Sequence, residues 1–289
     1  REESAARTVG TAVSMMVLLG ILYVAVIETF LTPLLTIFGA TKDVMPYAQS
    51  YTRITAAGMP LLILTNGLSN LARADGSPKY SMACMLVGAV INTILDPIFI
   101  FVLHQGVAGA AIATVAGQLF SCLMALYYLK KFRHVKLLRH HFIPRLHVCG
   151  KIASLGMSSS LNQLAITFVQ IVLNNSLTYY GAQSAYGSEI PLASCGIVMK
   201  TNAILLAVII GISQGSQPII GFNYGAKQYE RVRGVYRLAI TWNLAVSGAG
   251  FLLFQLFPRH IISIFGTGEP LYFEFAIHFL RIFLFMVLI

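Results

Sequence analysis

Asn92 and Asp96 stand four positions apart in the run Val90-Ile91-Asn92-Thr93-Ile94-Leu95-Asp96-Pro97. On a helix that spacing points both side chains to one place. An ionisable group inside an apolar segment is costly and marks a functional candidate. Pro97 has no N–H to give the carbonyl of Thr93, which leaves a kink or a further oxygen ligand. Thr114 lies in the next apolar run at the matching depth. Asp96 lies about seven residues before the outer end of its run and Thr114 about seven after the start of its own, so both sit roughly 10 Å below the outer surface. Asp96, Asn92 and Thr114 therefore make one oxygen-rich pocket, suited to Na⁺ or to a proton held on the carboxyl. The alternative is a helix seam closed by hydrogen bonds.

A second polar feature is the stripe Ser160, Gln163, Thr167, Gln170 and Asn174, spaced by three and four on an otherwise apolar helix. Such a stripe either lines a water-filled cavity or joins helices by hydrogen bonds. Lys200 lies ten residues into its run, too deep for easy snorkelling, and is a candidate cavity residue with Gln163, Thr167, Gln170 and Asn174. Glu28, Arg53 and Arg281 read as structural, through pairing or snorkelling. His134, His140, His141 and His147 form a single cluster. A membrane di-iron enzyme needs several such clusters on facing helices, so no metal site is expected beyond Na⁺ at Asp96, Asn92 and Thr114. Cys84, Cys122, Cys149 and Cys195 have no zinc or redox spacing and read as small core residues.

The elements that position these residues are membrane spans. The chain is 57% hydrophobic and 10% charged, with a mean hydropathy of +0.75, whereas soluble domains carry about 25% charged residues. A water-soluble fold is excluded. Eight apolar runs, 8–38, 46–71, 79–103, 107–129, 151–179, 190–217, 231–257 and 270–289, are long enough to cross a bilayer. Such runs satisfy their backbone as helices, so the fold class is an all-α polytopic membrane protein. The net charge of +10 does not indicate nucleic acid, because the basic residues sit in loops between the runs. Fifteen Lys and Arg lie in or beside loops on the side of residue 1, and only Lys42 and Arg259 lie in the opposite loops. That bias puts the residue 1 side in the cytoplasm.

The basic stretch from Lys130 to Lys151 interleaves Leu, Ile and Phe and suits a helix lying on the anionic inner leaflet. It divides the chain into 1–130, a loop at 131–150, and 151–289. A repeat supports the division: Phe30 with Ile37-Phe38-Gly39 recurs 227 positions later as Phe257 with Ile264-Phe265-Gly266. One inserted residue then sets Arg53 opposite Arg281. Both copies run the same way through the membrane, which makes a parallel repeat. The chain opens on the charged stretch Arg1 to Arg7 and stops inside the run Phe283 to Ile289. Both ends are expected to be cut.

Several segments carry a likeness: Arg73-Ala74-Asp75-Gly76 followed by Pro78, Asn92 to Pro97, Gly106-Val107-Ala108-Gly109-Ala110-Ala111-Ile112-Ala113-Thr114, and Gly211 to Ala226. Their order and helix context resemble the multidrug and toxic compound extrusion (MATE) family. The resemblance implies a two-lobed bundle in which the eight runs are helices three to ten of twelve. Residues 1–130 would form most of the N-lobe and 151–289 part of the C-lobe. It implies a secondary active transporter, not an enzyme, that expels small amphipathic, often cationic, organic compounds by Na⁺ or H⁺ antiport and alternating access. No cofactor is implied beyond the coupling ion. The family's N-lobe cation site maps onto Asn92, Asp96 and Thr114, with an Asp of its first helix beyond this chain. The C-lobe acidic residue that some family members instead carry on the seventh helix has no counterpart, since 151–179 holds no Asp or Glu, which favours coupling through the N-lobe. The expected setting is the plasma membrane, specifically a bacterial inner membrane, with a functional monomer at full length and no nucleic acid partner. A flippase for lipid-linked oligosaccharides would instead need a cationic cavity built from Arg53, Lys200 and Arg281. A membrane-embedded enzyme would need a convergent catalytic set, which the sequence lacks.

Overall fold

The computed structural model describes residues 2–37, 45–132, 137–187, 189–265 and 270–285. Every long apolar run in these segments is helical, because a backbone surrounded by lipid must pair its own N–H and C=O groups. The helices are α1 (Glu2–Ile37), α2 (Met45–Ala74), α3 (Pro78–Pro97), α4 (Gly106–Tyr128), α5 (Leu146–Ala182), α6 (Glu189–Gly225), α7 (Tyr229–Leu256), α8 (Pro258–Ile264) and α9 (Pro270–Phe283). Seven of the described helical segments are long and apolar enough to cross a membrane. The eighth expected span is described only as α9 and a following turn, with 286–289 outside the described residues. Large apolar side chains such as Leu18, Leu22, Phe101 and Leu164 are exposed, the inverse of a soluble core. Among the described residues the cysteines are free; Cys84, Cys122 and Cys195 are buried and Cys149 half-buried.

The chain divides into two compact units, 1–156 and 157–289. In the first unit, α1 to α4 pack around Val13, Leu64, Leu68, Cys84, Cys122 and Ala125. In the second, α6, α7, α8 and α9 pack around Val198, Phe254, Ile262, Ala276, Leu280 and Leu284.

The same offset that relates the repeat relates local geometry in the two units. Phe30 leaves helical geometry inside α1 (φ −111°, ψ 21°), and Phe257 does so between α7 and α8 (φ −122°, ψ 39°). Glu28 and Gln255, also 227 positions apart, each hold the arginine of their own unit. Arg53 Nε donates to Glu28 Oε2 at 3.0 Å, and Arg281 Nη2 donates to the Gln255 carbonyl at 3.1 Å. Gln255 Nε2 returns a bond to the Arg281 carbonyl at 3.0 Å. The breaks are real features of both units, although Phe38, Gly39 and Gly266 of the repeat lie outside the described residues.

Two expectations are corrected. Between Lys130 and Lys151 the described residues form no surface helix. They form 3₁₀ turns at Leu129–Lys131 and Arg139–Phe142 before α5 begins, while Arg133, His134 and Lys136 lie outside the described residues. Pro144 holds Ile143 extended (φ −77°, ψ 115°) and so ends the second turn. That turn is docked: the Ser14 hydroxyl of α1 donates to the Phe142 carbonyl, and Gly10 lies so close to the His141 backbone that a Cβ there would collide. The second correction concerns α6, which was expected to stop before Pro218 but continues to Gly225. Pro218 costs one backbone bond, from the Gln214 carbonyl, and a membrane helix tolerates that when polar side chains stand nearby. The turn that follows places Lys227 in the left-handed region (φ 57°).

Candidate functional site

Helix α3 ends at Pro97 and passes into a turn of π-helix, Ile98–Val102. Single π turns inside longer helices are often found at functional sites. Asn92 and Asp96 lie on the last turns of α3 before this change, and Thr114 lies on α4 opposite them. Asn92 Nδ2 donates to Asp96 Oδ1 at 3.2 Å and to Thr114 Oγ1 at 3.4 Å. Thr114 Oγ1 in turn donates to the Ala110 carbonyl at 2.9 Å. All three side chains are half-buried. Asn92 is therefore in direct contact with each of the other two residues selected for shared face and depth.

Two glycines allow the contact. An ideal Cβ on Gly117 of α4 would lie 2.6 Å from the Gly88 carbonyl oxygen of α3, and one on Gly88 would collide with the Ser121 hydroxyl. The helices thus cross with backbone against backbone, the small-residue packing by which membrane helices approach closely. Ser121 Oγ strengthens the crossing by donating to the Cys84 carbonyl at 2.7 Å.

Beside this contact is a cavity of about 190 Å³, whose polar lining is Thr65 and Asn66 from α2, Asn92 from α3, and Thr114, Gln118 and Ser121 from α4. None of the lining residues is charged. Asn92 belongs both to the cavity wall and to the hydrogen bond with Asp96. Sequence reasoning missed Asn66, Gln118, Ser121 and Thr65. Gln118 and Ser121 follow Thr114 by four and seven positions, so the helical face of Thr114 already carried that signal. Asn66 had no such signal.

The other candidates fall elsewhere. Gln163, Thr167 and Gln170 are exposed along α5. Half-buried Asn174 accepts a weak bond from the Cys195 thiol of α6 at 3.9 Å. Lys200 is exposed on α6. Arg53 and Arg281 bond Glu28 and Gln255, two residues before the breaks, and do not line the cavity beside Asn92. Among the described residues no group of three or more His, Cys, Asp or Glu gathers in metal-binding geometry. His141 is buried in its turn, and its Nδ1 accepts the Leu138 N–H at 3.1 Å. Burial, with the neighbouring His140 and Arg7 charges, pushes its imidazole below the ordinary histidine range.

Fold and site define an all-α polytopic membrane protein with two helical units and a polar pocket within the first. The chain belongs to the MatE family, whose model matches residues 1–98 and 158–289. It is 26% identical over 278 residues to the probable multidrug resistance protein YoeA of Bacillus subtilis, covering 93% of this chain and 58% of that protein. It is likewise 26% identical over 258 residues to the multidrug export protein MepA of Staphylococcus aureus, covering 88% and 54%. The chain thus spans little more than half the length of these curated relatives. Among solved structures, MATE in the straight conformation superposes with a TM-score of 0.85 at 25% identity, over 98% of this chain and 62% of that one. An outward-facing multidrug resistance MATE family transporter gives 0.88 at 24% identity, over 99% and 63%, a likeness of fold. These names describe export and transport, not catalysis.

Proposed function

We propose that the chain serves cation-coupled multidrug efflux, with Asp96, Asn92 and Thr114 as the coupling site in the first unit. One observation carries the reading: a single amide, Asn92, bonds both the one carboxylate of α3 and the hydroxyl of the facing helix. Membership of the MatE family supports it. In this reading residues 1–130 belong to one lobe and 151–289 to the other, joined by the basic loop 131–150. The substrates are small amphipathic organic compounds, mainly cationic, and the full-length protein works as a monomer in the plasma membrane of a bacterium. The residue 1 side faces the cytoplasm, where the Lys and Arg residues concentrate.

The chemistry of coupling follows from donors and acceptors. The Asn92 amide presents N–H to both Asp96 and Thr114. A sodium ion needs oxygen ligands, so its arrival requires Asn92 to turn Oδ1 inward beside the Asp96 carboxylate and Thr114 Oγ1. A proton on Asp96 instead converts that acceptor into a donor and removes the charge that holds the amide. Either event loosens the link between α3 and α4 next to the π turn. Alternating access requires such a differential interaction between two states of the lobes. Drug and cation then exclude one another because each favours a different state of the lobes.

Asp96→Asn in the full-length protein removes the ionisable group while keeping the side chain's size. Coupled efflux of a fluorescent drug is expected to be lost, with membrane insertion intact. Undiminished coupled efflux would sink the assignment.

A further inference from the structure

The ends of α3 and α4 away from the cation site border a second cavity, of about 890 Å³. Lys79 stands on one side of it and Lys131 on the other, and none of its lining residues is acidic. Both lysines are exposed, and among the described residues neither has a carboxylate partner. Lys131 Nζ rests over the Tyr127 ring, 4.8 Å from its centroid. Tyr80 and Tyr128 form the wall between, with ring centroids 4.9 Å apart. Their hydroxyls are already engaged, Tyr80 Oη with the Met124 carbonyl at 2.9 Å and Tyr128 Oη with the buried Asp75 at 2.8 Å. The wall is therefore aromatic, and the charged donors among the lining residues are the two ammonium groups, with the Ser77 hydroxyl beside them.

What lies along the helices from this cavity identifies the ligand class. On α3, Met82 and Leu86 follow Lys79 by three and seven positions and are 57% and 52% exposed. On α4, Leu123 and Tyr127 precede Lys131 by eight and four and are 54% and 52% exposed. Spacings of three, four, seven and eight keep each set on the helix face of its lysine. A dicationic site thus stands at the foot of an apolar strip. A soluble anion would use the lysines and leave the strip bare. A zwitterionic lipid would bring a phosphate together with an ammonium that the lysines repel.

We propose that this groove holds an anionic phospholipid of the inner leaflet, its phosphate between Lys79 and Lys131 and its acyl chains along Met82, Leu86, Leu123 and Tyr127. The placement in the inner leaflet rests on the orientation proposed above. Basic pockets between spans on the cytoplasmic side are suited to such headgroups. Occupancy would tie the α2–α3 turn to the end of α4, where the basic loop 131–150 begins.

Native mass spectrometry of the purified full-length protein, supplied with phosphatidylglycerol and phosphatidylcholine at equal concentration, tests the site. Phosphatidylglycerol is expected to be retained preferentially. Lys79→Gln and Lys131→Gln should each weaken that retention about fivefold, and about thirtyfold together, since a lysine near anionic lipid contributes on the order of 1 kcal/mol. Lys151→Gln should leave it unchanged. Equal retention of the two lipids by the native protein, or undiminished preference in the double variant, overturns the proposal. A second readout needs no variant: phosphatidylglycerol, and not phosphatidylcholine or inorganic phosphate, should protect Lys79 and Lys131 from acylation by an amine reagent. Equal protection by inorganic phosphate would make this a soluble-anion site and overturn the lipid assignment. Orientation is read separately by acylating sealed vesicles from outside, so lysines reached from that side would refute the cytoplasmic placement and leave the lipid result standing.

Discussion

Replacing Gly117 with alanine tests whether the α3–α4 crossing holds the proposed coupling site together. The added methyl would lie 2.6 Å from the Gly88 carbonyl oxygen, 3.2 Å from Asn92 Cβ and 3.4 Å from Asn92 N. All three neighbours are backbone or Cβ atoms, so no flexible side-chain tip can swing aside. Relief requires the helices to part by roughly half an ångström or more, and overpacking of this kind costs about 1–3 kcal/mol. The Asn92–Thr114 bond, at 3.4 Å, is already near the limit of a hydrogen bond. Parting the helices breaks it. The Asn92–Asp96 bond lies within α3 and survives. Losing one such bond is worth about 0.5–1.5 kcal/mol, so coupled efflux should fall roughly two- to tenfold. Thermal unfolding in detergent should move down by roughly 2–4 °C per kcal/mol of overpacking. Gly248→Ala is the control, because a Cβ there meets nothing within 4 Å. A Gly117→Ala protein with native melting and native coupling would refute the reasoning.

Two further outcomes follow from the ionisable groups outside the site. His141 is held neutral in its turn by burial and by its acceptor bond from Leu138, so its protonation opposes docking on α1. The unfolded imidazole takes up its proton first, near pH 6.5. Docking is therefore full above that value and weakens as the pH falls through it. Cleavage of the loop by a protease active across this range should quicken between pH 7 and about 5, and His141→Gln should flatten the dependence. The Glu28–Arg53 pair is substantially exposed, with side chains 40% and 66% accessible. Glu28→Gln, which copies Gln255 at the matching place in the other unit, keeps a side-chain oxygen to accept from Arg53 Nε and should shift stability by about 1 kcal/mol at most. A loss several times larger would show that the pair fixes the break at Phe30.

The spans were legible because crossing a bilayer imposes a length that composition cannot disguise. The run expected at 46–71 became α2 at Met45–Ala74, and that at 231–257 became α7 at Tyr229–Leu256. Asn92, Asp96 and Thr114 were legible because helical spacing and counted depth suffice to bring two adjacent spans together. Asn66 was not, since which face of α2 meets α4 depends on packing that no periodicity in α2 declares. Gly88 and Gly117 were hidden among many glycines. Their role lies in meeting each other, a property of the pair. The turn at Arg139–Phe142 escaped for a related reason: its charge pattern suits a membrane surface, but its actual partner is the Gly10–Ser14 face of α1. The break at Phe30 has a local sign, Pro33 inside α1, which removes a helix bond one turn on, and the repeat with Phe257 was legible only as a division of the chain.

The central claim is that a cation gradient, acting through Asp96, drives export. Efflux of a fluorescent cationic dye from vesicles containing the full-length protein, under separately imposed Na⁺ and proton gradients, tests it most directly. The account predicts accelerated efflux under at least one of the two gradients, and loss of that acceleration in Asp96→Asn. Dye movement that neither gradient changes, or acceleration that persists in Asp96→Asn, would contradict it.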